Sequence, residues 1–548
     1  MLSLGMLQVS ISEKVIGSKP LLAEAKLWVS DNEKVGFLGR NGTGKTTLFN
    51  IITGKDTDFS GEVTHSKHDT LMATSQEHHN SEGTTTEFVS RKLPDFARLE
   101  TILKTYPEHM GDDLKKIHVY TDALQKFSER GYYEVENSLE KLFDAYQLDR
   151  ALLVRPFASL SGGQKRLVEL IAIQLAAPQV ILLDEPTNHM DYLAKNAFIE
   201  WLKTVKSSVL VISHDRDVLT NVDRIIELKD QKIFSYPGNY DKYLAQNAVT
   251  TTNAISEFDT SEKRIANLKE QIAFAKARAA TGGPRWVTLY ERYERELKAI
   301  LENHQKPSFW IDRESAKMLK SKTTENYQKF RAKNIRLHET NVSEASNTLL
   351  RVDKLSLGYD NKPLLNDISF QLSGGERLHV VGRNGVGKTT LVNAITQAWQ
   401  GKRPETLIGA GIIDCDRSLA ISMYDQEIGP ELLDMTLHDA IVAIYDTKDL
   451  RVTDEQIKQD MANYLFNPTG DKDVLVHNLS GGQKARLQLI RLLVGSPNLL
   501  ILDEPTNHLD LPSIEELENA LKDYIGAIIY ITHDSYFAKN IGGEVLAL

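Results

Sequence analysis

The chain has 548 residues, and its 65 basic and 75 acidic side chains give a formal net charge of −10. One hydrophobic core stops growing at roughly 250–300 residues, so we expect more than one domain. The single cysteine, Cys415, excludes a disulfide framework and a cysteine-ligated iron–sulfur cluster. We expect a cytoplasmic protein, because no apolar run approaches the roughly 20 residues that cross a bilayer and no signal-peptide pattern is present. An acidic total argues against a nucleic-acid partner only if the charge is evenly spread.

The first predicted elements are an apolar strand at residues 35–38, a glycine-rich turn and the start of a helix. The turn has the pattern Gly-x-x-x-x-Gly-Lys-Thr, the P-loop, whose backbone N–H groups and helix N-terminus hold phosphate oxygens. Its lysine reaches the β- and γ-phosphates of a nucleotide, and its first threonine is a ligand of Mg²⁺. The predicted nucleotide-binding residues are Gly39, Asn41, Gly42, Gly44, Lys45, Thr46 and Thr47.

Two later apolar strands end at candidate catalytic residues. Residues 180–183 lead into Asp184, which suits a Mg²⁺ ligand, and Glu185, which suits a general base for the attacking water. Residues 209–212 end beside His214. Continuous apolar strands that alternate with helices indicate a parallel sheet covered on both faces, so the predicted fold class is α/β.

The same pattern recurs in the second half of the chain. Lys45 is repeated as Lys388 at an offset of 343 residues, and Asp184 is repeated as Asp503 at an offset of 319. Strands are therefore predicted at 378–381, 499–502 and 528–531. The predicted residues of this second site are Gly382, Asn384, Gly385, Gly387, Lys388, Thr389 and Thr390 in the P-loop, with Asp503, Glu504 and His533.

Gln76 and Gln426 form another repeated pair, and they locate an insertion. The first copy has 31 more residues than the second between this glutamine and the Leu-Ser-Gly-Gly-Gln sequence that follows it. Such differences between two copies of one fold fall in surface segments. The excess lies within residues 82–155, as a projecting arm or as a helical subdomain with a longer loop.

The order of these motifs resembles the ATP-binding cassette ATPases, in which two cassettes close head to tail around two ATP molecules. The resemblance implies that each P-loop shares its ATP with the Leu-Ser-Gly-Gly-Gln signature of the other cassette. It also implies that Gln76 and Gln426 couple nucleotide to closure and assist the metal, and that His214 and His533 contact the γ-phosphate. The implied signature contacts are Ser161, Gly162, Gly163 and Gln164, and Ser480, Gly481, Gly482 and Gln483.

Two details of the repeat need separate interpretation. The family stacks adenine on an aromatic residue before the P-loop, and Tyr359 lies 23 residues before Gly382. Ile16 takes this position in the first copy, so we expect the first site to hold adenine without a stack, which would leave the two sites unequal. Residues 373–375 imitate the signature but align with a turn before the first P-loop, and we predict a turn there as well.

The sequence Pro-Thr-Asn-His-Met/Leu-Asp occurs twice, and Tyr-Pro-Gly-Asn-Tyr follows the first cassette at 236–240. Both features resemble the ABC-F group. The resemblance implies an ATPase that enters the tRNA exit site of the ribosome and directs its linker towards P-site tRNA and the peptidyl-transferase centre. A housekeeping translation factor and an antibiotic-resistance protein both remain open. We expect a monomer with paired cassettes at 1–247 and 346–548, a linker at 248–345, and Mg²⁺ and ATP as cofactors.

The predicted linker carries a charge opposite to that of the rest of the chain. Residues 261–338 contain 18 Lys and Arg and 9 Asp and Glu, a net charge of +9. Two helix breakers, at 282–284 and 306–311, compete for the tip, and we favour the second, with the glycines at 282–283 as a kink. Basic residues beside aromatic ones suit contact with RNA. The heptad-like apolar positions that predict the first helix are Ile265, Leu268, Ile272, Ala275 and Ala279.

Two other classes of cassette protein compete with this interpretation. The energising subunit of a membrane transporter would need a groove for a membrane-domain helix and would have no use for a long basic hairpin. A DNA-maintenance ATPase would usually carry a much longer coiled coil or zinc-binding cysteines. ATP-dependent retention on ribosomes, membranes or duplex DNA distinguishes the three classes.

Overall fold

A computed structural model describes residues 7–548 apart from 18, 41, 66–69, 75–82, 110, 112, 189, 280–283, 304–347, 360–361, 409–410, 425–427, 465, 480 and 508. The first cassette contains a six-stranded sheet of order β5-β6-β7-β3-β8-β9 and a three-stranded antiparallel sheet of order β2-β1-β4. The large sheet is parallel except at β9. The strands are β1 (Leu7–Ile16), β2 (Lys19–Val29), β3 (Lys34–Gly39), β4 (Ser60–His65), β5 (Leu71–Ala73), β6 (Val180–Asp184), β7 (Ser208–Ile212), β8 (Arg224–Lys229) and β9 (Lys232–Pro237).

The helices of this cassette begin at recognisable caps. Ser161 caps one helix with its side chain, which accepts from the N–H of Gln164, while the Gln164 side chain accepts from the N–H of Ser161. Asp191 caps the next. Short 3₁₀ helices lie at Tyr132–Glu134, Arg150–Leu152 and Phe157–Ser159. The α-helices are α1 (Lys45–Ile52), α2 (Thr85–Lys92), α3 (Phe96–His109), α4 (Leu114–Glu129), α5 (Val135–Ala145), α6 (Gly162–Ala176), α7 (Tyr192–Thr204) and α8 (Arg216–Leu219).

The central strands are apolar on both sides because both faces of the sheet are covered. In β6, Val180 and Leu182 pack with α1 and the small sheet, whereas Ile181 and Leu183 pack with α6 and α7. All four side chains are at most 1% exposed. Burial of each is worth roughly 1.5–3 kcal/mol, which explains the uninterrupted apolar run. The predicted doubly covered parallel sheet is confirmed.

A linker hairpin follows the first cassette. Its helices are α9 (Tyr240–Ala279) and α10 (Pro284–Asn303). They pack antiparallel, with Arg264 paired to Glu296 and the rings of Phe274 and Trp286 in edge contact at 5.7 Å. The chain therefore reverses direction between Ala279 and Pro284, which contradicts our prediction that the first linker helix continues past a kink. The glycines at 282–283 themselves lie outside the described residues. The favoured tip at 306–311 lies outside the described residues.

The second cassette repeats the first. Its parallel sheet has the order β14-β15-β16-β12-β17, and its antiparallel sheet the order β11-β10-β13. The predicted turn at 373–375 follows β11 and is confirmed. A 3₁₀ helix lies at Val476–Asn478. The elements are β10 (Thr348–Tyr359), β11 (Lys362–Ser373), β12 (Arg377–Val381), α11 (Lys388–Trp399), β13 (Ile412–Cys415), β14 (Ile421–Tyr424), α12 (Pro430–Leu433), α13 (Leu437–Asp446), α14 (Asp454–Asn463), α15 (Gly481–Leu493), β15 (Leu499–Asp503), α16 (Leu511–Lys522), β16 (Ala527–Ile531), α17 (Ser535–Ile541) and β17 (Glu544–Ala547).

The inserted residues of the first cassette form a helical hairpin. Thr84 bridges to Pro156 and Thr436 bridges to Leu475, so equivalent points are 72 residues apart in the first cassette and 39 apart in the second. This difference in length corresponds to the residues of α3 and α4. The two helices pack together through their own apolar cluster around Phe127. The excess is therefore a pair of helices.

Among the described residues, no helix combines the length and the apolar composition that a membrane span requires.

Candidate functional site

Both P-loops adopt a backbone conformation that glycine favours. Gly44 and Gly387 have φ angles of 104° and 113°, in the left-handed region where other residues are strained. A Cβ atom at Gly44 would also lie 2.8 Å from the side chain of Leu21. In each loop the lysine turns back over the strand end: Lys45 Nζ donates to the carbonyl of Gly39 at 2.5 Å, and Lys388 Nζ to that of Gly382 at 2.7 Å. Each cationic group is thus held against backbone carbonyls at the start of its P-loop.

The threonine and the aspartate predicted as magnesium ligands lie together at the same edge of each sheet. Thr46 Oγ1 donates to Asp184 Oδ2 at 3.3 Å, and Thr389 Oγ1 donates to Asp503 Oδ2 at 2.9 Å. Each threonine is the second residue of the helix after its P-loop, and each aspartate ends β6 or β15. Parallel strands bring these residues together because their carboxyl ends meet at one edge of the sheet.

The candidate base and histidine of each site are in contact. Glu185 and Glu504 both have φ of 46°, a strained conformation for a non-glycine residue. The Glu185 carboxylate accepts from the His214 N–H at 3.3 Å, and that of Glu504 from the His533 N–H at 3.4 Å. His214 Nε2 lies 3.6 Å from Glu185, whereas His533 Nε2 lies 3.2 Å from Glu504.

Burial sets the protonation of these groups. It raises the pKa of Glu185 to about 8 and that of Glu504 to about 7, against a usual value near 4.3. It also lowers the pKa of His214 to about 3 and that of His533 to about 4. A carboxyl group with a pKa near neutrality suits proton transfer from water, and a neutral imidazole can accept or donate a hydrogen bond.

Unsatisfied polar atoms indicate that these sites are built for a polar ligand. Glu185 Oε1 and His214 Nδ1 are buried and make no hydrogen bond within the described parts of the chain. Leaving such atoms unpaired costs roughly 1–3 kcal/mol each. A nucleotide fits these residues. Its phosphates would lie on the P-loop N–H groups and Lys45, its metal at Thr46, and its attacking water beside Glu185.

A cavity of about 870 Å³ lies between the cassettes, and both P-loops open into it. Ile16 and Tyr359 line it at equivalent places, and their position beside adenine stays a prediction. Tyr359 is 59% exposed, and its hydroxyl lies 3.4 Å from Thr390 Oγ1. The ring is therefore accessible to a base in the second site, and the aliphatic Ile16 takes its place in the first.

The structure brings together most predicted site residues but not the two signatures. The described signature residues are not among those that line the cavity, and Ser161 and Gly162 are exposed at the start of α6. Sharing of ATP between a P-loop and the opposite signature therefore stays a prediction. Four predicted residues lie outside the described residues: Asn41, Gln76, Gln426 and Ser480.

Sequence reasoning missed the residues that join the cassettes. Asp191 caps α7 with Oδ1 and accepts with Oδ2 from the N–H of Asn384 in the second P-loop, at 3.2 Å. Lys195 Nζ donates to the carbonyl of His533 at 3.0 Å. A signal was available in the repeat, because the offset of 319 that aligns Asp184 with Asp503 and His214 with His533 places Lys195 against Ile514.

Comparisons with known proteins agree with this geometry. The family profile described as ABC transporter matches residues 22–188 and 365–507, and a related profile of the same description matches 226–283. The ATP-binding protein YdiF of Bacillus subtilis is 31% identical over 99% of this chain and 80% of its own length. ABC transporter F family member 2 of Arabidopsis thaliana is 30% identical, over 94% of this chain and 73% of its own.

The chain belongs to the ABC-F family. Solved structures share the fold of this ABC-F protein. An RNase-L Inhibitor matches with a TM-score of 0.58 and 16% identity, over 98% of this chain and 87% of its own. An archaeal ribosome recycling factor, crystallised with a ribosomal stalk protein, matches with a TM-score of 0.57 and 15% identity, over 98% of this chain and 87% of its own. The ABC-F protein is accordingly an ATPase with two ATP-binding cassettes in tandem.

Proposed function

We propose that this ABC-F protein is a cytoplasmic, monomeric translation factor that binds the ribosome near the tRNA exit site in its ATP-bound form. Its cassettes, at 1–247 and 346–548, close on two Mg²⁺-ATP molecules, with Glu185 and Glu504 as general bases. The linker at 248–345 reaches RNA near the peptidyl-transferase centre, and ATP hydrolysis releases the protein. The basic linker on an otherwise acidic chain is the observation that carries the proposal.

Three arginines of the linker hairpin share one side of α10. Arg285, Arg292 and Arg295 line a cavity of about 710 Å³, together with Thr288 and Leu289. Guanidinium groups are the side chains best suited to phosphate oxygens, because their planar N–H groups bind in pairs. Arg278 lies 5.3 Å from the ring of Phe274 and 5.8 Å from that of Trp286, a pairing of cation and aromatic that suits stacked bases.

The charge distribution explains how RNA binding is confined to the linker. Residues 261–338 carry +9, so the rest of the chain carries −19. Six of the nine net positive charges lie within 304–338, a segment outside the described residues, and three lie within 261–303. Acidic cassettes repel a polyanion, so productive binding depends on insertion of the linker.

The first experiment traps the ATP-bound form. Glu185→Gln with Glu504→Gln removes both candidate bases while keeping each side chain's size, so ATP should bind without being hydrolysed. With ATP, this variant should co-sediment with ribosomes in a sucrose gradient, whereas the parental chain dissociates. Glu100→Gln with Glu200→Gln changes two exposed surface glutamates paired with lysines and is the matched control. No ribosome association of the trapped variant with ATP would refute the proposal.

The same trapped variant distinguishes the other classes. Pelleting with membranes while absent from ribosome fractions would indicate a transporter subunit, and ATP-dependent retention on duplex DNA would indicate DNA maintenance. Expression of the parental chain in a susceptible bacterium, followed by challenge with several ribosome-targeting drugs, separates a resistance protein from a housekeeping factor. A raised tolerance to one drug class would identify the former.

The second experiment tests the linker. Arg285→Glu with Arg292→Glu should weaken ribosome retention of the trapped variant and make it more sensitive to salt, because phosphate contacts release counterions. Arg150 is a suitable control, since it is half exposed on the first cassette and pairs with Glu140 and Asp144. Arg150→Glu should leave retention unchanged. Equal effects of the linker and control substitutions would contradict an RNA-binding role for this side of α10.

A further inference from the structure

Lys195 is a buried charge that the ATPase mechanism above does not use. It lies on α7, its side chain is 5% exposed, and its Nζ lies 2.9 Å from Asp215 and 2.6 Å from Asp217. Both acids belong to the first cassette, beside His214. The third partner of Nζ is the carbonyl oxygen of His533, in the second cassette, at 3.0 Å. The ammonium group therefore connects the first cassette directly to the backbone of the second-site histidine.

A second contact in the same cluster crosses the interface. Ser535 Oγ donates to Asp217 Oδ1 at 2.6 Å, while Oδ2 of the same carboxylate holds Lys195. Asp534, which caps α17, adds a further negative charge near the ammonium group. Burial opposes the charge of Lys195, but the surrounding carboxylates outweigh it and raise its pKa above the usual value. Lys195 thus stays charged throughout the neutral range.

The pseudo-symmetric position in the other cassette lacks this charge. At the offset of 319 residues, Lys195 corresponds to Ile514, and Asp217 corresponds to Tyr536. Ile514 is 2% exposed and lines the same cavity between the cassettes as Lys195 does. The first site therefore has an aliphatic side chain from the second cassette where the second site has an ammonium group from the first.

The surroundings of the two site histidines, His214 and His533, differ in the same sense as the lysine and isoleucine positions. His533 Nε2 lies 3.2 Å from Lys388 Nζ of its own P-loop. Both ring nitrogens of His214 are buried without a hydrogen-bond partner in the described structure. The histidine whose carbonyl Lys195 holds thus lies close to both the P-loop lysine and Glu504, whereas neither ring nitrogen of the other histidine is hydrogen-bonded within the described residues.

We infer that Lys195 is a positioning residue of the second ATP site, supplied by the first cassette, and that the two sites sense cassette contact differently. By holding the His533 carbonyl, Lys195 sets the backbone from which the imidazole reaches Lys388 and Glu504. Separation of the cassettes breaks this contact and disorganises the second site. The first site loses no equivalent bond. The inference requires only the ATPase activity and is independent of ribosome binding.

The test measures each site alone. Glu185→Gln inactivates the first site, so that only the second site hydrolyses ATP. Glu504→Gln inactivates the second site, so that only the first hydrolyses ATP. Adding Lys195→Met should lower kcat of the second site about tenfold with KM for ATP changed by less than about twofold, because a positioning residue acts on the transition state more than on binding. The first site should keep more than half of its kcat. Lys203→Met, on an exposed face of the same helix, is the matched control and should change neither.

Conservative rescue separates positioning from simple loss of structure. Lys195→Arg keeps the charge and should restore at least half of the second-site kcat. If Lys195→Met folds poorly because the carboxylates are left uncompensated, Lys195→Ile with Asp217→Tyr substitutes the residues that the other cassette carries at these positions. This double variant should show the same selective loss at the second site.

A second measurement is used if a single Glu→Gln substitution abolishes ATP hydrolysis at both sites. Vanadate-trapped 8-azido-ATP can be cross-linked in the otherwise parental chain, and a protease site inserted within 304–347 then separates the labelled cassettes. Lys195→Met should reduce labelling of the second P-loop several-fold relative to the first. Equal reduction of both sites, or a second-site kcat within twofold of the parental value, would overturn the inference.

Discussion

Replacing Arg216 with methionine should weaken the contact between the two cassettes by about 3–5 kcal/mol. Arg216 begins α8 in the first cassette, and its Nη1 donates to Oε1 of Glu518 in the second at 2.9 Å. The two side chains are only 4% and 7% exposed. Asn540 holds the other oxygen of Glu518 at 2.9 Å, so the carboxylate is fixed for this one guanidinium.

The magnitude follows from distance and burial. At 2.9 Å, with an effective dielectric constant of about 20, the attraction is about 6 kcal/mol. Desolvation of two ions offsets much of that in the intact pair, so the pair itself contributes little net stability. Arg216→Met removes the attraction but leaves Glu518 buried and charged. An uncompensated buried charge is what destabilises the contact between the cassettes. Arg216→Met with Glu518→Leu removes both charges and should recover most of the loss.

Calorimetry of the nucleotide-free protein checks this reasoning. For cassettes of 200–250 residues, a loss of about 3–5 kcal/mol lowers the melting temperature of the less stable cassette by roughly 6–20 °C. Arg150→Met breaks an exposed ion pair and should cost less than about 1 kcal/mol. A shift no larger than that of the Arg150 control would refute the reasoning, as would a double variant no more stable than Arg216→Met alone.

Three further predictions concern single sites. Tyr359→Ile should weaken ATP binding at the second site by about 0.5–1.5 kcal/mol, and Ile16→Tyr should strengthen the first site similarly, as measured by calorimetric titration of the Glu→Gln trapped chain; no change in either would exclude adenine stacking. Gly44→Ala should abolish nucleotide binding at the first site while thermal unfolding shows a folded chain, because its φ of 104° and the 2.8 Å approach to Leu21 leave no room for a Cβ. Lys448→Met should lower the free energy of unfolding of the second cassette by about 1–3 kcal/mol in urea titration, since its Nζ holds two carbonyls at the end of α15; a change below about 0.5 kcal/mol would contradict that role.

The motifs made the local chemistry of each site predictable. A P-loop with glycines at fixed offsets, and apolar strands ending in Asp-Glu or before His, specify which side chains lie at one sheet edge, because parallel strands end together there. Thr46 beside Asp184, and Glu185 beside the His214 backbone, bear out that placement. The reversal of the chain between α9 and α10 was harder to predict, since a glycine pair inside a helical pattern is compatible with one kinked helix and with two antiparallel helices.

The sequence by itself determined the α/β fold class, the tandem repeat, the residues of both candidate ATP sites and the opposite charges of linker and cassettes. Those properties follow from local patterns and from the internal comparison of the two copies. Only the tertiary structure decided which residues join the cassettes, that the inserted residues are a helical hairpin, and that Lys195 of one cassette holds His533 of the other. Contacts between residues 338 positions apart carry no local periodicity, and they form only when two separately folded surfaces meet.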